Sequence, residues 1–588
     1  MENNHPFSDN AERFSFFALG ILIFWWLAYF LAVLGVFSLP LLGVFGITLG
    51  AGTVMAARKW LTRETLSAKI FVGVVVIFSS LLMYVAEPTI LSGRDQGSIS
   101  EAAFELVRTG SLSFSSPASG TFSAIYGEGK ALNFPGFFYR NDGSLTTQFP
   151  LGYTVFLASF TAFFDTDGFR VGNGLLLTLS ILSLFLLVRT FANERYAIGA
   201  SAIFALSFLP SWFAKFTLTE NAALFLFLFL ALNLVLFLRE NRTNFFLGAY
   251  LSALMLAVTR IEGIWMLAVA FGILFFSSKG RTFAAPKKML FRTAPLLFGG
   301  VILFINFFAN LPFFVVMAKA FLKNFSSLSS ADPAALADSA GISLALWKLF
   351  AVYGLLPVFL IGFAGAVILL RKKRFVEFLP MFLALPTLLY FVDPNITHDH
   401  PWMLRRFLPF AFPALLLTGT IALSVILEKH SRSGPKIALG LGLLVLAAEL
   451  PASIPTLPFA DNRGLLDTTA TIAPHIGGQD LLLVDRTASG DAFSMPIAPL
   501  RFLHEKNVAY FFNPEDYAKI AQDGYEHIYL LTPPDRFEEW VRMPASFQFI
   551  TVFSFSTEQL EALPLREARF PQKKRLQQDA LLFELKPL

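Results

Sequence analysis

The sequence predicts an α-helical polytopic membrane protein with about thirteen transmembrane helices and a small extracytoplasmic α/β domain at its C-terminal end. Three observations carry this. Of 588 residues, 55% are hydrophobic and 15% charged, where an average soluble domain is about a quarter charged; the mean hydropathy is +0.61. Apolar runs of about 20 residues recur, long enough to cross a hydrocarbon core of roughly 30 Å. In lipid the backbone must satisfy its own hydrogen bonds, so each run reads as a helix. Finally, Lys and Arg gather in short clusters between the runs: Arg58-Lys59 with Arg63, Lys287-Lys288, and Arg371 to Arg374. That is the positive-inside pattern.

The runs fall near 14–36, 38–57, 70–90, 171–188, 196–214, 222–238, 245–259, 263–278, 294–318, 342–369, 375–392, 407–427 and 437–455. The stretch before the first has no basic n-region and no small-residue cleavage signal, so that run reads as a retained span. Thirteen spans put every basic cluster on the cytoplasmic side, with the N-terminus inside and the C-terminus outside. Residues 1–69 form an N-terminal hairpin with its cytoplasmic loop, 70–455 the main transmembrane domain, and 456–588 the outer domain. The fifteen-residue run at 150–164 would break the charge alternation as a span, and reads as interfacial or re-entrant. The runs 245–259 and 263–278 are short for spans and need local thinning or burial in protein.

The outer loop 91–149 opens with "SGRDQG". Ser98 or Ser100 is an N-cap candidate and Gly110 a stop, which predicts a short amphipathic helix on the membrane surface. The tail 456–588 returns to soluble composition. Strands are expected at 481–485, 527–532, 547–555 and 580–585, with helices in "PEDYAKIAQDG" and "PDRFEEWVRM" between them.

The net charge of +5 is spread over the inter-helix clusters, which excludes a nucleic-acid-binding patch, and the absence of cysteine excludes disulfides and thiol catalysis. The charge-derived topology collects polar residues at the outer ends of the spans. These are Arg94 and Asp95; Lys215 and Glu220 in "KFTLTEN"; Arg260 and Glu262 in "TRIEG"; and His398, His400, Arg405 and Arg406 in "THDHPWMLRRF". Charges at membrane depth are costly and face bundle interiors or watery cavities. Arg405-Arg406 oppose the positive-inside bias, and arginine forks suit phosphate. His398 and His400, with Asp399, have a spacing workable for a metal, but three residues of one loop have no confirmed partner, so divalent-metal use is left open.

In order, these features are an acid just past an early span, "FPLGY" opening an apolar helix, "FTLTEN", "TRIEG" and a late "RRFLPFAFP". This order resembles the GT-C integral-membrane glycosyltransferases, specifically bacterial relatives of protein mannosyltransferases and aminoarabinose transferases, over roughly 70–430. The resemblance implies transfer, with inversion, of a sugar from a polyprenyl-phosphate donor to a lipid, glycan or protein acceptor at the outer face of a bacterial inner membrane. It also implies Asp95 as base or acceptor-orienting acid, Glu220 as a second acid, and Arg405 or Arg406 on the donor phosphate. The chain departs from the family by its added N-terminal hairpin, by Arg94 where relatives carry a second acid, and by lacking the "WWD" signature of oligosaccharyltransferases. A transporter or flippase for a polyprenyl-linked sugar would use the same cavity, but no internal repeat supports it. A scaffold with the tail as its docking piece leaves the outer arginines unexplained.

Overall fold

The computed structural model describes residues 6–91, 95–277, 289–309, 311, 315, 333–394, 396–427, 433–491, 495–521 and 523–587. Arg94, Lys287-Lys288, part of the expected 294–318 span and residues 428–432 lie outside the described residues.

The chain is a multi-pass helical membrane protein with a sheet-containing C-terminal domain. Helices α1 (Pro6–Val33), α2 (Leu39–Arg63) and α3 (Leu66–Val85) open it. After the first outer loop come α6 (Leu151–Phe164), α7 (Asp167–Phe191), α8 (Glu194–Leu206), α9 (Phe208–Phe213), α10 (Thr219–Glu240), α11 (Thr243–Ala257) and α12 (Gly263–Phe271). That loop contributes α4 (Asp95–Thr109) and α5 (Pro117–Tyr126). Among the described residues six helices are long and apolar enough to span a bilayer, or seven if one bent pair counts as a span. The count of about thirteen expected from sequence is not confirmed by these helices. Several apolar runs are broken: at Ser207 between α8 and α9, and at Gly354, where Gly341–Val352 and Leu356–Arg371 meet at 113°. Gly354 has φ +72°, and a Cβ there would lie 2.2 Å from the Ala448 carbonyl oxygen. Only glycine takes that conformation at no cost, so the bend and the close approach of Gly434–Ser453 depend on it.

The first outer loop departs from expectation. Helix α4 starts at Asp95, ahead of the predicted caps at Ser98 or Ser100, and Gly110 (φ +71°) ends it. It does not lie exposed on a membrane surface: Gln96 to Ala103, Glu105 and Leu106 are buried. Its cover is a small antiparallel sheet in the order β1 (Ser113–Phe114), β4 (Leu145–Thr147), β3 (Phe137–Tyr139), β2 (Gly129–Lys130), together with the tail. The 150–164 run is a fourteen-residue helix, α6, largely buried in protein.

Strand β5 (Asp399–His400) pairs with β10 (Leu563–Pro564) of the tail. The tail's main sheet has the order β7 (Val508–Phe511), β6 (Leu481–Asp485), β8 (Ile528–Thr532), β11 (Lys573–Pro587), β9 (Ala545–Leu560). Strand β6 runs parallel to β7 and β8, and β11 antiparallel to β8 and β9. The four strands expected are present, β9 and β11 being longer than their hydrophobic cores. The short β7 falls in a stretch without a strand signal.

A buried carboxylate–arginine cluster as the candidate active site

Two helix starts carry the acids. Asp95 opens α4 and Glu220 lies in the first turn of α10, where the helix dipole favours negative charge. A third acid, Glu262, stands at the N-cap position of α12, its side chain making no capping bond. The cations come from the turn after α11, which supplies Arg260, and from the 3-10 helix Trp402–Phe407, which supplies Arg405 and Arg406. Successive residues of a 3-10 helix point about 120° apart. Arg405 therefore faces the acids over the Trp402 ring (4.6 Å), while Arg406 stands over the Tyr390 ring at 5.7 Å.

The geometry joins these residues into one cluster. The Arg405 guanidinium donates through Nη2 to Asp95 Oδ2 across 310 positions of sequence. Its Nε lies 3.7 Å from Glu220 Oε1. Arg260 Nη1 meets the same Glu220 oxygen at 2.9 Å and donates to Thr219 Oγ1 at 2.9 Å. Arg260 Nη2 and Nε form a fork onto Glu262 at 2.8 and 3.2 Å, and the Tyr390 hydroxyl donates to Glu262 at 2.7 Å. Burial works against the charge on Arg260, yet Glu220 and Glu262 hold its pKa well above the ordinary value. Burial likewise opposes ionisation of Glu262, but Arg260, Arg406 and the Tyr390 hydroxyl bring it down to about 2. Asp95 keeps substantial exposure: its side chain is 39% exposed, against 3% for Glu220 and 5% for Arg405. The Nε atoms of Arg405 and Arg406 are buried without a hydrogen bond. Each guanidinium thus keeps an unused donor in a site where acids and arginines balance.

The surrounding residues fix this arrangement. Thr217 Oγ1 donates to the Gln96 carbonyl at 2.8 Å and lies 2.7 Å from both Ser100 Oγ and Thr89 Oγ1. This ties the start of α4 to the "FTLTEN" loop. Gly152 of "FPLGY" sits against the "TRIEG" turn: its N–H donates to the Val258 carbonyl at 3.0 Å, and a Cβ would fall 2.3 Å from Thr259 Oγ1.

The structure brings together Asp95, Glu220, Arg260, Glu262 and Arg405, with Arg406 beside them. Three other candidates stand apart. Lys215 donates to the carbonyls of Thr456, Leu457 and Phe459 at 2.6, 2.7 and 2.8 Å, which anchors the start of the tail. His400 is fully buried between the Tyr353 hydroxyl (3.0 Å) and the Glu567 carbonyl (2.8 Å). His398 is 3.6 Å from Asp393. Among the described residues no three His, Asp or Glu side chains are placed to hold a metal, and the cluster's acids face arginines instead. Thr219, Tyr390 and Trp402 were not singled out from sequence. Thr219 and Trp402 sit inside the motifs, whereas Tyr390 had only its place at the end of an apolar run as a signal.

No family model matches the sequence, and no curated protein matches it. Solved structures do. The oligosaccharyltransferase of Archaeoglobus fulgidus, solved with Zn and sulfate, aligns over 82% of this chain and 72% of its own, at 10% identity and a TM-score of 0.50. ArnT from Cupriavidus metallidurans in the apo state aligns over 90% and 98%, at 11% identity and a TM-score of 0.47. The same protein bound to undecaprenyl phosphate aligns over 88% and 97%, at 12% identity and a TM-score of 0.42. The match to the archaeal enzyme, at 10% identity, is a likeness of fold: this chain shares the architecture of that membrane protein.

Proposed function

We propose that the protein is a membrane glycosyltransferase that moves a sugar from a polyprenyl-phosphate donor to an acceptor outside the cytoplasm, with inversion at the anomeric carbon. The observation that carries this reading is the direct contact of Asp95 with Arg405. It puts a solvent-reachable carboxylate beside guanidinium groups with donors to spare, at one end of a helical bundle. The lipid tail of the donor would stay in the bilayer while its sugar phosphate enters the cluster.

In the proposed step the acceptor hydroxyl oxygen bonds to the anomeric carbon. The bond from that carbon to the phosphate oxygen breaks, and its electron pair leaves with the phosphate. The acceptor proton passes to Asp95. Negative charge grows on the departing phosphate, where Arg405 and Arg406 stabilise it through fixed donors in a water-poor site. A positioned base contributes about 10² to 10⁴ in rate. Glu220 is buried behind Arg260 and Arg405, so its role is to hold those cations in place rather than to take a proton. The carboxylates are satisfied by arginines and do not fit a divalent ion, so no step is drawn through a metal. The missing "WWD" signature speaks against transfer of a whole glycan to protein. The charge pattern of the loops supports a cluster that faces away from the cytoplasm, and the family resemblance implies a bacterial inner membrane.

The test is complementation. A deletion strain receives the wild-type gene, Asp95→Asn or Arg405→Lys, and envelope glycolipids and polysaccharides are compared by mass spectrometry. Wild type should restore a species heavier by one sugar unit, and Asp95→Asn should not, at equal protein level in the membrane and equal melting temperature. Full restoration by Asp95→Asn would remove the assignment. A lipid whose mass is unchanged but whose leaflet differs would replace transfer by transport.

A further inference from the structure

Away from the cluster, a groove of about 810 Å³ runs between α8 and the helices Leu356–Arg371, Ala411–Leu427 and Gly434–Ser453, within the ~300–1,000 Å³ typical of ligand sites. Its walls are aliphatic, as at Ile198, Ile203, Leu416 and Leu443, and among the described residues its only charged lining residues are Arg195 and Lys436. Both belong to one end. Ser207 donates to Glu449 where α8 ends, which sets α8 and Gly434–Ser453 side by side in the same direction. Arg195 and Lys436 then lie roughly 18–20 Å below that bond, at 1.5 Å per helical residue. This is a little over half a hydrocarbon core of roughly 30 Å, the depth of one leaflet.

We propose that this groove binds an anionic phospholipid from the leaflet opposite the carboxylate–arginine cluster, with its phosphate on Arg195 and Lys436 and its acyl chains along the aliphatic walls. Charge decides the occupant. Among the described residues two cations and no acid line the mouth, and neither cation has an ion-pair partner there. Each cation also stands in the first turn of its helix, where the dipole favours an anion and disfavours a cation. A bound phosphate reconciles both facts. Small residues make the room: Gly442 has only Ile203 within 4 Å of a Cβ position, at 4.0 Å. The inference is independent of the reaction proposed above.

The test uses the full chain in detergent, with dioleoylphosphatidylglycerol, dioleoylphosphatidylcholine or inorganic phosphate as probe, read by native mass spectrometry and by thermal melting. Wild type should retain phosphatidylglycerol at least about tenfold better than phosphatidylcholine and melt higher in its presence. Arg195→Gln with Lys436→Gln, both at exposed positions, should lose that preference without a lower baseline melting temperature. Gly442→Phe should reduce retention of both lipids. Equal retention of the two lipids by wild type would overturn the proposal, as would a preference that survives the double substitution. A thermal shift reproduced by phosphate alone would also overturn it, reducing the site to one for a free anion.

Discussion

Glu220 is 2% exposed and faces two guanidinium groups, those of Arg260 and Arg405. Breaking a buried ion pair from one side leaves an uncompensated charge and costs about 3–5 kcal/mol, whereas removing both partners costs far less. Arg260→Met strands Glu220 and Glu262 together, so it should lower the melting temperature of the purified protein sharply. The triple variant Arg260→Met, Glu220→Gln, Glu262→Gln should recover much of the loss. Equal melting of wild type and Arg260→Met would show that the cluster contributes nothing to stability. The acids and arginines were legible in the sequence because charges beside apolar runs are conspicuous, and the lysine and arginine clusters predict one common side for them. Distance within that side was not legible. Lys215 shares the face yet spends its ammonium on three tail carbonyls, and main-chain acceptors leave no mark on a sequence. Tyr390 was equally hidden, since an aromatic residue at the end of an apolar run reads as an interfacial anchor.

At the level of elements, the breaks matter as much as the helices. The sequence reads 342–369 as one span because its hydropathy is continuous, but Gly354 turns the chain by 113°. Gly354→Ala combines a positive φ with a clash against a backbone oxygen. It should destabilise the protein by more than the ~1 kcal/mol of a plain conformational change, seen as a lower melting temperature; an unchanged value would mean that the bend tolerates a side chain. The neighbouring β5–β10 bridge carries a pH dependence. The Glu567 carbonyl must accept from His400 Nε2–H, which leaves Nδ1 to accept from the Tyr353 hydroxyl. Burial lowers the pKa of His400, although the Glu567 carbonyl, Asp399 and Glu567 pull the other way against Arg569. The unfolded chain therefore takes up a proton first as pH falls. The contribution of His400 is present above its ordinary pKa of about 6.5 and is lost as pH falls below that toward the lower folded value, by ~1.4 kcal/mol for each tenfold difference in proton affinity. Melting between pH 7.5 and 5.5 should fall more for wild type than for His400→Gln; parallel curves would refute the assignment. Strands β6 and β8 were legible because both are continuous apolar runs, as buried parallel strands are. Strand β7, four residues long, and the sheet over α4 were not, because two- and three-residue strands have no period to read.

For the whole molecule, the first outer loop and the tail close on each other, and the working carboxylate of the proposed reaction hangs from their junction. The Asn133 side-chain amide donates to the Tyr510 carbonyl, the Tyr510 N–H donates to the Asn133 main-chain carbonyl, Tyr126 donates to Asp516, and Thr121 meets Tyr525 at 2.7 Å. At the centre Arg501 of the tail lies 4.4 Å from the Phe134 ring, 5.2 Å from Phe114 and 5.1 Å from Phe502. Burial lowers its pKa to about 10 against the pull of Glu101 and Glu105 on α4, so it is charged at neutral pH. Those two acids are four residues apart on one helix face, where like charges repel; Arg108 pairs with Glu105 at 3.1 Å, and the Arg501 charge attracts both acids. Helix α4 is thus held near its start by Thr217, its acids attract the Arg501 charge, and Asp95 is its first residue. This makes the tail a clamp on α4 rather than an appendage. Arg501→Met should speed hydrogen exchange over 95–109 and open a protease site within 110–149 while the transmembrane helices stay protected. Arg501→Lys should fall between, since an ammonium keeps the charge but loses the planar stacking on the rings. If Arg501→Met leaves α4 as protected as in wild type, the clamp resides in the polar contacts around it, and Asn133→Ala with Thr121→Val should then release the loop.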